Sequence, residues 1–264
     1  MRITMLLENA AAEGTGLAAE HGLSLYIEAA GRRILFDTGQ SDAFAQNAEA
    51  LGIDLSAVDF AVISHGHYDH TGGLARFLEL NGHAPVYLHR SAFEERQDSH
   101  GRSIGMDAAL AQSPRLIFTD DALALGEGLD LFTCNAKQRP FSSHSGGLFQ
   151  MQGGLPMQDD FLHEQYLRIR EGGKTVVISG CSHKGILNIM HWLEPDALIG
   201  GFHFMGLDAE GDGREALDSA AEALAGYDAE YFTCHCTGRK QFDYLKGKLG
   251  ERLHYFAGGM SIEL

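Results

Sequence analysis

Within the six residues His65-Gly66-His67-Tyr68-Asp69-His70, three imidazoles and a carboxylate crowd together directly behind the apolar run Phe60-Ala61-Val62-Ile63. Neutral imidazole nitrogens and carboxylate oxygens are the usual ligands of divalent transition ions, and a cluster this dense needs such a reason. His65 and His67, two apart and just past a strand, can point the same way and share one ion. Asp69 and His70, on the following turn, can hold a second a few ångströms away. A solvated His-rich loop is the competing reading. It sits poorly with Thr71-Gly72-Gly73-Leu74, which launches a helix and fixes the loop tightly. Three further histidines, His183, His203 and His235, fall where apolar strand-like runs of the second half end. Side chains gathered from separate strand ends make a rigid site floor. Cys181, two residues before His183, reads equally as a soft metal ligand or as a small buried residue. Cys234 and Cys236 flank His235 and are expected to point away from it, as packing residues, if that strand continues.

The elements that must position these groups follow from hydrophobic period and turn punctuation. Residues 23–30 and 33–37 read as two strands of a hairpin, followed by a helix over 42–51 and by the His motif. Leu74–Leu80 has helical spacing, and residues 85–89 and Leu116–Thr119 read as short strands. The polar segment 91–112 between them reads as a lid or excursion. The second half repeats the theme, with a hairpin over 164–179 turning at Glu171-Gly172-Gly173. The run Val177-Ile178-Ser179-Gly180-Cys181-Ser182-His183 then enters a helix over 185–193. Strand-like runs at 197–203, 230–236 and 253–256 follow, with a helix at 214–225. Two strand–histidine–helix units suggest two related halves packed face to face, in an α/β chain with no evident domain boundary across residues 1–264.

Composition narrows the function. With 264 residues and 44% hydrophobic content, the chain has material for one large domain. The formal net charge of −16, with no lysine or arginine cluster, argues against a nucleic-acid partner. No apolar run reaches the ~18 residues of a membrane span. The start, Met1-Arg2-Ile3-Thr4-Met5-Leu6-Leu7 followed by Glu8, is too short for an export segment. Four cysteines without a regular framework fit a reducing cytoplasm.

The stretch His65 to His70 resembles the His-x-His-x-Asp-His signature of the metallo-β-lactamase fold superfamily. Glu20-His21-Gly22-Leu23-Ser24, Leu35-Phe36-Asp37-Thr38-Gly39-Gln40, Gly180-Cys181-Ser182-His183-Lys184-Gly185-Ile186, Gly200-Gly201-Phe202-His203 and Cys234-His235-Cys236-Thr237-Gly238 extend the likeness. They are similar to the branch that includes the 7,8-dihydropterin-6-methyl-4-(β-D-ribofuranosyl)aminobenzene 5′-phosphate synthases. The resemblance implies an αββα sandwich of two related halves with a metal site at one edge. It implies that His65 and His67 bind the first metal, that Asp69 and His70 bind the second, and that His183 and His235 complete the set. Cys181 stands where the superfamily usually has a bridging acidic ligand. His67, where flavin-linked di-iron relatives carry Glu, favours Zn2+, one or two ions, with Mn2+ or Fe2+ as alternatives. Asp37 is placed to orient a ligating imidazole.

The expected activity is metal-dependent hydrolysis of a small, anionic ester or phosphoester through metal-activated water. Asp69 would orient or deprotonate that water, and His203 would donate a proton or contact substrate, with His21 in a similar role. The resemblance also admits a transferase that joins a dihydropterin pyrophosphate to an aminobenzene ribofuranosyl phosphate. A metal-dependent ligand sensor is a third expectation. Nuclease and β-lactamase activities are disfavoured by the charge and by the lack of an export signal. Specificity is expected in segments 91–112 and 140–160; Arg139, Ser142, Ser143 and His144 could meet an anion, although a solvated loop is the favoured reading of them. Met151 to Met157 reads as a lid or a subunit contact.

Overall fold

Unbroken apolar runs are what strands buried on both faces require, and this chain sets two families of them back to back. The computed structural model describes all 264 residues, Met1 to Leu264. The first half contributes β1 (Arg2–Leu7), β2 (Ser24–Ala29), β3 (Arg32–Phe36), β4 (Phe60–Val62), β5 (Val86–His89), β6 (Arg96–Asp98) and β7 (Leu116–Thr119). Then come β8 (Ala122–Gly126), β9 (Leu129–Phe132), β10 (Leu148–Gln152), β11 (Leu155–Gln158), β12 (Tyr166–Glu171), β13 (Lys174–Ile178), β14 (Ala197–Ile199), β15 (Glu230–Thr233), β16 (Leu253–Tyr255) and β17 (Ser261–Glu263). The α-helices are α1 (Ala43–Ala50), α2 (Tyr68–Thr71), α3 (Leu74–Leu80), α4 (Ile186–Leu193), α5 (Arg214–Ala225) and α6 (Arg239–Leu249).

One seven-stranded sheet has the order β17-β1-β2-β3-β4-β5-β7, and the other β16-β15-β14-β13-β12-β9-β8. In the first, β17, β1, β2 and β3 pair antiparallel and β4, β5 and β7 continue in parallel. In the second, β8, β9, β12 and β13 are antiparallel and β14, β15 and β16 parallel. The halves repeat one plan, down to the hairpin turns. Ala30 (φ 50°) and Gly31 (φ 69°) close β2–β3, and Gly172 (φ 62°) and Gly173 (φ 82°) close β12–β13. Two left-handed residues in a two-residue turn match the twist of the strands they join.

Alternation along the strands sorts the side chains into layers. Ile3, Ile34, Phe36 and Val62 meet Ile169, Val176, Ile178 and Ile199 in a 21-residue core between the sheets. Leu35, Ala61 and Ile63 face the other way, against Phe44 and Phe77 of α1 and α3. Val177, Leu198 and Tyr231 pack on Ile189, Leu217 and Leu245 of α4, α5 and α6. The layer order is the expected αββα.

Several elements depart from expectation. Residues 2–7 form a core strand, and 122–132 form the β8–β9 hairpin. Segment 91–112 is tied down, since β6 pairs with β10 and the Arg96 side chain is buried. Within 140–160, β10 and β11 form a hairpin turning at Gly153-Gly154, and with β6 they make a third, small sheet. Finally, β14 and β15 stop at Ile199 and Thr233, short of their histidines. Gly200 takes φ 141° there, and an added Cβ would lie 2.0 Å from Ser179 O.

Candidate metal centre

The His motif leaves β4 beside Asp37, which follows β3 in a left-handed conformation (φ 59°) that costs a non-glycine residue about 1–3 kcal/mol. Hydrogen bonds hold it there. Asp37 Oδ1 accepts from Ser64 N at 2.7 Å, and Oδ2 accepts from Ser64 Oγ at 2.6 Å and from His70 Nδ1 at 2.7 Å. Because the Ser64 proton goes to Asp37, Ser64 Oγ accepts from His65 Nδ1–H at 2.8 Å. One buried carboxylate therefore sets the tautomers of two imidazoles.

The histidines of the second half sit in tight turns past their strands, with His203 at φ 56° and His235 at φ 51° in a 3₁₀ turn, His235–Thr237. This corrects the expectation for the flanking cysteines. Because the strand does not continue, Cys234 enters the core between the sheets, whereas Cys236 turns to the site and its thiol donates to Cys181 O at 3.5 Å. Two buried carboxylates that the sequence did not single out hold the turns. Glu164 accepts from His183 N at 2.5 Å and Lys184 N at 3.0 Å. Glu8, at the end of β1, accepts from His235 N at 3.1 Å.

Two ligand groups result. His65, His67 and His183 bring their ring nitrogens together, with His65 Nε2 3.2 Å from His183 Nε2. Asp69, His70, Cys181 and His235 form the second, with His70 Nε2 3.2 Å from Cys181 Sγ and Asp69 Oδ2 3.2 Å from His235 Nε2. All seven are buried. Within these two groups, every Nδ1 that has a partner is a donor. His183 Nδ1 lies 3.2 Å from Ser145 Oγ, whose own proton goes to His183 O. His235 Nδ1 lies 2.8 Å from Asn9 Oδ1. Neutral imidazoles tied this way present bare Nε2 lone pairs, so His65 and His183 oppose two acceptors at hydrogen-bond distance with no proton between them. His67 Nε2 and His235 Nε2 are buried without a hydrogen-bond partner. A divalent cation among these atoms satisfies them, and the residues fit one in each group.

Electrostatics agree with neutral imidazoles at His65, His67, His183 and His235, whereas at His70 burial is outweighed by the Asp69 and Asp37 carboxylates and the pKa is raised. Burial, reinforced by the neighbouring rings, holds His65, His67 and His183 well below the usual range. Burial likewise pushes His235 down to about 4. Burial opposes ionisation of Asp69, but His70, His21 and His235 overcome it and keep the carboxyl well below the usual range. His21 Nε2 lies 3.2 Å from Asp69 Oδ2. His203 lies beside His183, ring centroids 4.4 Å apart, with Nδ1 3.3 Å from His144 O. The cavity over both groups has a volume of about 210 Å³. Tyr68, Ile104, Leu148 and Met205 line it with the histidines, and no lysine or arginine does. Arg139 lies elsewhere, donating to Asp160 O at 2.7 Å, and Ser142 and His144 border a separate cavity.

Residues 18–232 match the model of the metallo-beta-lactamase superfamily. Protein MJ0448 of Methanocaldococcus jannaschii is 28% identical over 233 residues, covering 84% of this chain and 86% of its own length. The 7,8-dihydropterin-6-methyl-4-(beta-D-ribofuranosyl)-aminobenzene-5'-phosphate synthase of the same organism is 27% identical over 270 residues, covering 91% and 88%. Among solved structures, Tm1679, described as a metal-dependent hydrolase of the beta-lactamase superfamily, is 30% identical with a TM-score of 0.85. That match covers 100% of this chain and 99% of the other.

Proposed function

This chain belongs to the metallo-beta-lactamase superfamily, and on that premise we propose that it is a binuclear, zinc-dependent hydrolase of a small ester or phosphoester. The observation that carries this reading is the pair of adjacent buried groups whose bare nitrogens face one another without protons. His65, His67 and His183 would hold one ion, and Asp69, His70, Cys181 and His235 the other. Ions held there would supply Lewis acidity, to activate a water and to polarise the substrate oxygen.

The chain's own groups do the rest. Asp69 keeps its charge and orients His21 through Oδ2. His203 has Nδ1–H committed to His144 O, which leaves Nε2 to take a proton and pass it to the leaving group. Burial lowers its pKa, so it starts neutral and acts first as the acceptor. Met205, Ile104 and Leu148 shield the cavity, whose size suits a small substrate. The charge of an anionic substrate would be met by the ions, since the lining holds no lysine or arginine. Four free, buried cysteines support a reducing compartment.

The relative named as a synthase favours transfer as a second reading. A pyrophosphate carries more charge than a small phosphoester, and the lining offers no lysine or arginine to share it with the ions, which is why hydrolysis is preferred. The test is metal content with turnover of nitrophenyl esters and phosphoesters, with and without an arylamine acceptor. Two zinc ions per chain are expected, with loss of an ion and at least about 100-fold lower turnover in Asp69→Ala and His183→Ala. Full occupancy with product formed only when the arylamine is present would move the assignment to transfer.

A further inference from the structure

His67, Asp159 and His163 form a third buried group whose ligand atoms lie within 4.8 Å of one another, which by distance alone would admit another ion. The hydrogen bonds argue otherwise. Gly66 N donates to His163 Nδ1 at 2.8 Å, so that nitrogen is an acceptor and the proton of the neutral ring sits on Nε2. Nε2 lies 3.5 Å from Asp159 Oδ2. The same oxygen accepts from Arg96 Nε at 2.8 Å, and Oδ1 accepts from Phe161 N at 2.7 Å. Neither ring nitrogen of His163 has a lone pair to give, the carboxylate is engaged at both oxygens, and a guanidinium already supplies the positive charge. Burial and that guanidinium push His163 down to about 3, in keeping with a neutral ring.

We propose that Arg96, Asp159 and His163 are positioning residues, a buried strut that fixes the backbone of the metal-binding loop at Gly66, between His65 and His67. The proposal rests on the reading of those two histidines as ligands. Arg96 is anchored in turn, with Nη1 donating to Glu94 O at 2.8 Å and Ser91 O at 3.0 Å. Ala92 O presses on the same glycine, for a Cβ on Gly66 would meet it at 2.0 Å. Asp159 N donates to Leu148 O at 3.0 Å, which ties the β10–β11 hairpin to the strut. The peptide between two ligands is thus clamped from the 91–96 segment and from the second half together. Rotation of that peptide would swing both imidazoles, so its acceptor controls the geometry of the first group and leaves the second untouched.

The experiment is Co2+ titration of the full chain, reading stoichiometry, affinity and the visible d–d spectrum, for wild type, His163→Leu and His163→Asn. Asn places an amide oxygen near the Nδ1 position and restores an acceptor for Gly66 N–H, whereas Leu cannot. The strut requires two ions in the wild type. It also requires about 10–100-fold weaker binding at one site, with an altered spectrum, in His163→Leu, and substantial recovery of both in His163→Asn. Unchanged affinity in His163→Leu would overturn it. So would equal loss in both variants, or a third ion in the wild type that both lose, which would mark the trio as a ligand set. If His163→Leu does not fold, His163→Asn decides alone, because losing the wild-type spectrum there refutes the acceptor role. No Co2+ binding by the wild type would refute the metal reading itself.

Discussion

Asp37 receives hydrogen bonds from His70 and Ser64, and Ser64 passes the constraint on to His65, so one side chain orients a member of each ligand group. Asn at this position would keep the size and tolerate the left-handed backbone, but it cannot accept from every present donor with a full charge. Asp37→Asn is therefore expected to lower thermal stability by about 1–3 kcal/mol and to weaken divalent-metal binding about 10–100-fold. Competition against a chromophoric chelator checks this, and wild-type affinity in the variant would remove Asp37 from the site. The ligand-type residues were legible because four of them fall within six consecutive residues, and because the remaining histidines end apolar runs. Asp37 was legible as a strand-end carboxylate. Glu8, Glu164, Asn9 and Ser145 were not, because their role lies in partners far along the chain. Glu8 and His235 are separated by 227 positions. A carboxylate next to a strand looks the same in sequence whether it faces water or a buried amide.

The two halves touch where their strand-end turns meet. A Cβ on Gly180 would lie 2.3 Å from Ser64 Oγ and 3.2 Å from His65 Nδ1. Gly180→Ala must therefore push one turn away from the other, at a cost of about 1–3 kcal/mol, and must disturb the Ser64–His65 hydrogen bond. A lowered urea midpoint together with weaker binding of one ion is expected. A lowered midpoint with intact ion binding would show that the strain relaxes away from the ligands. Strands with apolar runs or paired glycines were readable, as β2–β3 and β12–β13 illustrate. Strand β6 and the β10–β11 hairpin escaped. Their sequences, Arg96-Gln97-Asp98 and Leu155-Pro156-Met157-Gln158, show no apolar buried face, since the buried residue of β6 is the charged Arg96 and β11 is exposed throughout. They are strands because they pair with each other, which local pattern does not report.

At the scale of the molecule, burying so many imidazoles ties stability to pH. In the metal-free chain His235 titrates near 4 and His163 near 3, whereas an ordinary imidazole titrates at 6.5. Below about pH 6.5 the unfolded chain takes up protons that the folded one refuses, so stability is complete above that value and is lost as pH falls toward 4 and 3. Each such group contributes about 1.4 kcal/mol per pH unit to the loss. The urea midpoint of metal-free protein should fall between pH 7.5 and 5, and an equal or higher midpoint at pH 5 would contradict neutral, buried rings. The layer order was legible from the repeated strand–helix units, but the closing of the first sheet was not, because β1 pairs with β17, Arg2 opposite Glu263. That pairing sets a timetable for synthesis. Strand β1 is made first, yet the neighbour on its outer edge is finished only about 260 residues later, roughly 13–50 s at ribosomal speeds. Throughout that interval the edge of β1 offers unpaired backbone groups to any extended chain nearby. A nascent chain of this architecture therefore carries, while it grows, an open edge that the finished protein guards for itself.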